Sequence, residues 1–146
     1  MYLTKGFTLI ELMLAIAIGA ILVTVGIPSY FDLIQRNTVT TASNELLGAL
    51  LYTRNEAVRQ EATATFTPEA DGWLVASNGV TLLDHTVDSS KITIDGDPIT
   101  YSPRGRAGLA DTQSIDVSFK GTLMSRVCLS LTGRPFIKMV EAGDCP

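Results

Sequence analysis

The chain is short of charge, of histidine and of cysteine, and each shortage removes a class of function. Only 18% of its 146 residues are Asp, Glu, Lys or Arg, against about 25% in ordinary soluble domains. The shortfall is local: within the first 31 residues only Lys5 and Glu11 carry charge. The formal net charge is −4, which argues against a chain that coats nucleic acid through a broad basic face, although a small basic site stays open. The single histidine, His85, lies in the turn-like stretch LLDHTVDSS with no second histidine and no thiol nearby. There is no GxSxG and no P-loop, and Gly105 and Gly108 read as turn glycines instead of a phosphate cradle. Asp84, Asp88, Asp95 and Asp97 miss the calcium-loop spacing and read as turn residues and solvated acids. Neither catalysis nor a metal or other cofactor is expected.

What the chain does have is one long apolar run. Residues 12–31 are twenty in a row without a charge, rich in Leu, Ile, Ala and Val, which meets the length of about 20 residues that a membrane-spanning helix needs. A buried core helix seldom runs this long without a polar face. A removed secretory signal is the stronger rival, but its basic end would be Lys5 alone, and the helical pattern continues past AIAIGA without a clean cleavage site. Lys5 before the run and Asp32 and Arg36 after it leave charge counting nearly indecisive about orientation. Cys128 and Cys145 are the only cysteines. They read either as one disulfide in an oxidising compartment or as two unrelated buried thiols. A cytoplasmic N-terminus with the globular part outside fits the first alternative.

Downstream the helical pattern persists but becomes amphipathic. Val39, Ala42, Leu46, Ala49, Leu50, Thr53 and Ala57 recur at three- and four-residue steps, with Arg36, Glu45, Arg54, Glu56 and Arg59 mainly off that stripe. The spacing predicts one helix over residues 7–61, interrupted by Pro28, which removes a backbone bond and should bend or loosen the helix nearby. Beyond Gln60 short β-type runs follow at 62–67, 73–77, 80–84, 91–95, 98–102, 114–119, 126–131 and 135–140, separated by turn residues. Asn78-Gly79 between two apolar runs is the strongest hairpin signal. The expected class is α+β, an antiparallel β-sheet domain packed on the amphipathic half of a long N-terminal helix.

Glu11 is the awkward residue. A carboxylate near a bilayer core costs about 2.5 to 3.5 kcal/mol on insertion scales. It lies one turn into the run, so it either snorkels to the headgroups or awaits a cation supplied when chains assemble. Periodicity leaves both open.

Lys5-Gly6-Phe7-Thr8-Leu9-Ile10-Glu11-Leu12 resembles the processing signal of type IV prepilins and type II secretion pseudopilins. Pro28 matches a proline of that family. The resemblance implies cleavage by a membrane prepilin peptidase between Gly6 and Phe7 and N-methylation of the new Phe7 amine. It also implies that Glu11 pairs with such an amine, of its own or a neighbouring subunit, during assembly. Domain organisation follows as a cleaved leader over 1–6, a transmembrane half-helix over 7–31, an amphipathic half over 32–61, and a β domain over 62–146 forming one periplasmic unit with 32–61.

Asn44 to Gln60, NELLGALLYTRNEAVRQ, is similar to the helix of the GspH/FimT branch through Glu45-Leu46, Ala49-Leu50, Arg54 and Glu56-Ala57. Val127-Cys128 to Thr132-Gly133-Arg134 fits that branch's C-terminal strand and turn, and Cys145 would close a small loop with Cys128. The resemblance implies a minor pilin of a type IV pilus, at or near its tip, or a GspH-like pseudopilin of a type II secretion pseudopilus. Its partners would be other pilins or pseudopilins, the prepilin peptidase, the inner-membrane assembly platform and the lipid bilayer. Some pilins of this branch bind DNA through a G-R-x-R turn. Here Gly133-Arg134-Pro135-Phe136 lacks the second arginine, leaving Arg134 with Arg126 and Lys138 as candidate phosphate contacts, and Arg104 and Arg106 as a second small basic cluster. In a net acidic chain either cluster also reads as a solvated turn.

Overall fold

Thr8 opens the long helix: its hydroxyl accepts from the Glu11 backbone N–H at 3.3 Å, while the Thr8 carbonyl accepts from Leu12 N–H. This is an N-cap, with an acidic residue in the first turn where the helix dipole favours it. The computed structural model describes residues 6–109 and 111–145. All but the last residue of the expected leader lies outside them. Two units are distinguished, one ending at Arg36 and one beginning at Asn37, and each is taken by itself.

Helix α1 runs over Leu9–Arg59 with Pro28 inside it. The helix continues through the proline instead of stopping there. Pro28 has no N–H for the Thr24 carbonyl, and the Thr24 hydroxyl donates to the Ile21 carbonyl one turn earlier. Up to Arg36 the apolar side chains stand almost wholly exposed, from Phe7 and Leu9 to Phe31 and Leu33. This segment is long and apolar enough to cross a membrane.

From Asn37 on the same helix carries a buried stripe. Val39, Ala42, Leu46, Ala49, Leu50, Thr53 and Ala57 are all buried, as their spacing predicts. Two polar members join them. Ser43 donates to the Ser125 hydroxyl at 2.9 Å inside the core, and Glu56, expected off the stripe, is buried on it. Its carboxylate accepts from Arg59 and Gln60 one turn on, which supplies the partners that a buried charge requires.

The β region forms two four-stranded antiparallel sheets where the sequence suggested one continuous region. Strands β1 (Ala64–Glu69), β2 (Gly72–Ser77), β3 (Val80–Thr86) and β5 (Ile99–Tyr101) make the first, in the order β3-β2-β1-β5. Strands β4 (Ile92–Gly96), β6 (Gln113–Phe119), β7 (Thr122–Leu129) and β8 (Pro135–Met139) make the second, in the order β4-β6-β7-β8. The break at Gly96-Asp97 therefore separates strands that belong to different sheets. The first sheet contributes Phe66, Trp73, Val75, Ile99 and Tyr101 to the core, and the second Ile92, Ile94, Ile115, Val117, Val127 and Leu129.

Turn chemistry accounts for the hairpins. Asn78 and Gly79 both adopt positive φ, 52° and 76°, the pairing that a two-residue turn requires to match strand twist. Lys120 and Gly121 repeat this at 48° and 79°, closing Phe119 onto Thr122. Hence β7 begins four residues before the expected Arg126. The first run extends to Pro68 and Glu69, beyond the three residues of β1 that β5 covers, where a missing N–H is tolerated. His85 lies in β3 and not in a turn.

Candidate functional site

The site residues read from the sequence fall into two groups. At the N-terminus, Gly6, Phe7 and Glu11 are all exposed, Phe7 at 82%. A Cβ added at Gly6 would meet nothing within 4 Å among the described residues. Among the described residues no cation pairs with the Glu11 carboxylate. Thr8 is the residue that sequence reasoning missed. With Glu11 three positions on it forms the T-x-x-E spacing of a capping box, a signal legible in TLIE.

The second group surrounds the disulfide. Cys128 of β7 and Cys145 are bonded, with Cα atoms 5.7 Å apart and 17 positions of sequence between them. Cys128 is fully buried. The bond holds the tail beside β7, and there Asp144 meets the two flanking cations. The Arg126 guanidinium donates to Asp116 at 3.0 Å and also to Asp144, and Lys138 donates to the Asp144 carbonyl. Asp144 first, then Asp116, raise the Arg126 pKa above its ordinary value. Two of the three candidate phosphate contacts are thus already occupied by acceptors.

Arg134 differs. Its side chain is exposed, and its backbone N–H donates to the Ser130 hydroxyl in a tight turn closed by Gly133 N–H onto the Ser130 carbonyl at 2.7 Å. Gly133 takes φ 79°, and a Cβ there would strike Ala107 at 2.6 Å and Tyr101 at 2.9 Å. The Tyr101 phenol donates to the Gly133 carbonyl at 2.8 Å, and burial pushes its pKa up to about 12. Through these contacts the loop bearing the exposed Arg104 and Arg106 adjoins the turn bearing Arg134. The two basic clusters, 28 positions apart in sequence from Arg106 to Arg134, are therefore neighbours.

His85 contacts one aromatic ring and one acid. Its ring stacks on Trp73 at 4.2 Å between centroids, and its Nε2 lies 3.5 Å from a Glu45 carboxylate oxygen. Among the described residues there is no group of three or more His, Cys, Asp or Glu able to hold a metal.

The family model described as type II transport protein GspH matches residues 42–133, and that of the prokaryotic N-terminal methylation motif matches residues 1–27. Among curated sequences, a fimbrial protein of Pseudomonas aeruginosa is 39% identical over 82 residues, covering 55% of this chain and 53% of its own. The type IV major alpha-pilin of Moraxella bovis is 40% identical over 67 residues, 42% of each chain. The chain thus spans about half the length of the curated relatives it matches. Among solved structures, the type IV minor pilin FimU of Pseudomonas aeruginosa superposes with a TM-score of 0.60 at 19% identity, over 76% of this chain and 94% of that one. A second crystal form of it gives 0.56 at 18%, over 73% and 96%. At such identity the likeness speaks for the fold.

Proposed function

Since the chain belongs to the GspH family and carries the prokaryotic N-terminal methylation motif, we propose that it is a minor pilin, a fibre subunit of a type IV pilus incorporated at or near the tip. The observation that carries this reading is the conjunction of the methylation motif over residues 1–27 with a pilin-like fold that follows FimU over most of its length. The prepilin peptidase cuts between Gly6 and Phe7 on the cytoplasmic face, and the Phe7 amine is methylated. Before assembly residues 7–31 cross the inner membrane, with residues 32–146 in the periplasm. The assembly platform then passes the subunit into the fibre.

Three features support the roles of the N-terminal residues. Among the described residues nothing lies within 4 Å of a Cβ at position 6, which leaves that glycine free to serve a peptidase gripping the backbone. The Glu11 carboxylate is exposed, and among the described residues no cation pairs with it, leaving its oxygens available to a foreign cation. An unpaired carboxylate in an apolar fibre core is costly, and a facing ammonium offsets that cost best in one axial register. Pro28 loosens the helix within its lipid-facing half, a few residues before the soluble half begins.

Replacing Gly6 with valine tests the processing step: the precursor should accumulate uncleaved in the membrane, and mature product of normal size would refute the assignment. Glu11→Ala should insert and be cleaved yet be lost from sheared fibres. Incorporation at the wild-type level would remove the pairing role.

The matching family's own description favours a second reading, a pseudopilin of a type II secretion pseudopilus. Complementation separates the two: restored pilus assembly in a minor-pilin deletion supports the first, restored exoprotein secretion in a pseudopilin deletion the second. DNA binding for transformation is the reading with least support, because Arg126 and Lys138 face Asp116 and Asp144. Its remaining surface is Arg134 with Arg104 and Arg106.

A further inference from the structure

Along one side of the domain, a groove of about 260 Å³ lies between α1 and β3. Glu45, Gly48 and Tyr52 form its helix wall, Leu83 and His85 its strand wall, and Ala49 and Trp73 its floor. Ala49 and Trp73 belong to the core and His85 stacks on Trp73, but other features of the groove are not used by the chain's own folding.

The strand wall is an open sheet edge. In the order β3-β2-β1-β5, β3 pairs on one side only, so alternate N–H and C=O groups of seven residues face outward. Natural proteins blunt such edges with charge (lysine above all), proline, bulges or short length, and β3 has one exposed acid, Asp84, and one bulge. This strand, VTLLDHT, contains no lysine or proline and is as long as any strand of its sheet. It departs from regular pairing only at the bulge opposite Val75 and Ala76, leaving Leu83–Thr86 in unbroken register with β2.

The helix wall has a glycine where the fold wants none. Glycine inside a helix costs roughly 0.5–1 kcal/mol against alanine. A Cβ at Gly48 would meet nothing within 4 Å, and its φ is not in the left-handed region. Packing within the chain therefore gives no reason for glycine there, whereas close approach of another backbone does. On either side of it stand Glu45, its side chain 47% exposed, and Tyr52, 40% exposed. The floor holds one more unmet need: Trp73 is only 2% exposed, and its indole N–H has no hydrogen-bond partner among the described residues.

Charge decides the occupant. No lysine or arginine lines the groove, and Glu45 stands at its mouth, 3.5 Å from His85 Nε2 yet still 47% exposed. We propose that this groove is a docking site for an extended segment of a partner protein, which adds to β3 as a further antiparallel or parallel strand and sets an arginine or lysine against Glu45. Main-chain bonds to the open edge supply affinity, and the pocket beside Gly48 supplies specificity, the division of labour usual in strand addition. The cation lies between the Glu45 carboxylate and the exposed Tyr52 ring, where both charge pairing and cation–π attraction act. This goes beyond the fibre role: it concerns which neighbour the head recognises, and it is independent of leader cleavage and of Glu11.

Trp73 is the only tryptophan in the chain, so its fluorescence reports on the groove directly. The full chain in detergent is titrated with alternating valine-threonine octapeptides that differ only in one central residue, arginine, glutamate or norleucine. We expect the arginine peptide to change the Trp73 emission saturably and to bind about tenfold more tightly than the glutamate peptide. Glu45→Gln should abolish that preference while leaving the norleucine peptide unaffected. Gly48→Leu, at an exposed helix site, should remove binding of all three with an unchanged circular dichroism spectrum. Hydrogen exchange should slow at outward-facing amides of Leu83–Thr86 when the arginine peptide is bound. Equal affinities for the arginine and glutamate peptides, no binding below about 1 mM, or unchanged exchange at β3 would each overturn the proposal.

Discussion

At the scale of single residues, the most informative side chain is Glu56, an acid on the buried stripe of α1. The Arg59 guanidinium foremost, and then the Gln60 amide, lower its pKa from 4.5 to about 2. Between these values the unfolded chain holds a proton that the folded chain does not, so the group stabilises the fold above about pH 4.5 and loses that effect as pH falls towards 2. Glu56→Gln should therefore lie below wild type in thermal stability at pH 6, with the gap closing as pH drops from 4.5 to 2. A constant gap across that window would show that the carboxylate's charge contributes nothing. Asp88, whose pKa Lys91 and Ser90 lower from 3.8 to about 2, adds acid sensitivity of the same sign, and Glu56→Gln leaves that part in place. The stripe around Glu56 was legible from three- and four-residue spacing because apolar burial repeats with the helix. Glu56 and Ser43 were not, since burying a polar group depends on where its partner lies. Ser125, for one, is 82 positions away.

Among the elements, the two positive-φ hairpins carry the clearest energetic statement. At Gly79 and Gly121 an added Cβ meets nothing within 4 Å, so any loss on substitution is backbone strain alone. Gly79→Val and Gly121→Val should each cost about 1–2 kcal/mol, read as a lower urea midpoint with an unchanged slope. Stability equal to wild type in either variant would rule out the left-handed turn there. The Asn78-Gly79 turn was readable because its residue pair is nearly diagnostic. Lys120-Gly121 was not, because lysine seldom marks such a turn, and β7 consequently began four residues earlier than the composition of its apolar part suggested. All eight β runs were legible from alternation and breakers. Their division into two sheets was not, since strand order is set by which edges meet in space, with β5 returning to β1 across three intervening strands.

On the scale of the whole molecule, one covalent link closes the second sheet against the tail. The chain between Cys128 and Cys145 includes all of β8. A loop of that length is worth about 3 kcal/mol in the chain-entropy account. Reductant, or Cys145→Ser, should lower stability in urea by about that amount; a loss below about 0.5 kcal/mol would mean that packing alone fixes the tail. The pairing of these cysteines was legible through resemblance, and the elementary reading of the residues left it open. The matching of Arg126 and Lys138 by Asp144 was not legible, because the disulfide brings that acid to them.

Every buried apolar residue of the described chain, from Val39 onwards, lies after Arg36. The head's free energy of folding is then a property of the segment that begins at Asn37. In the proposed passage from bilayer to fibre, the first half of the helix exchanges one oily surrounding for another while the head keeps the same water. On that path the subunit changes the surroundings of its first half without unmaking any buried apolar contact of the described chain.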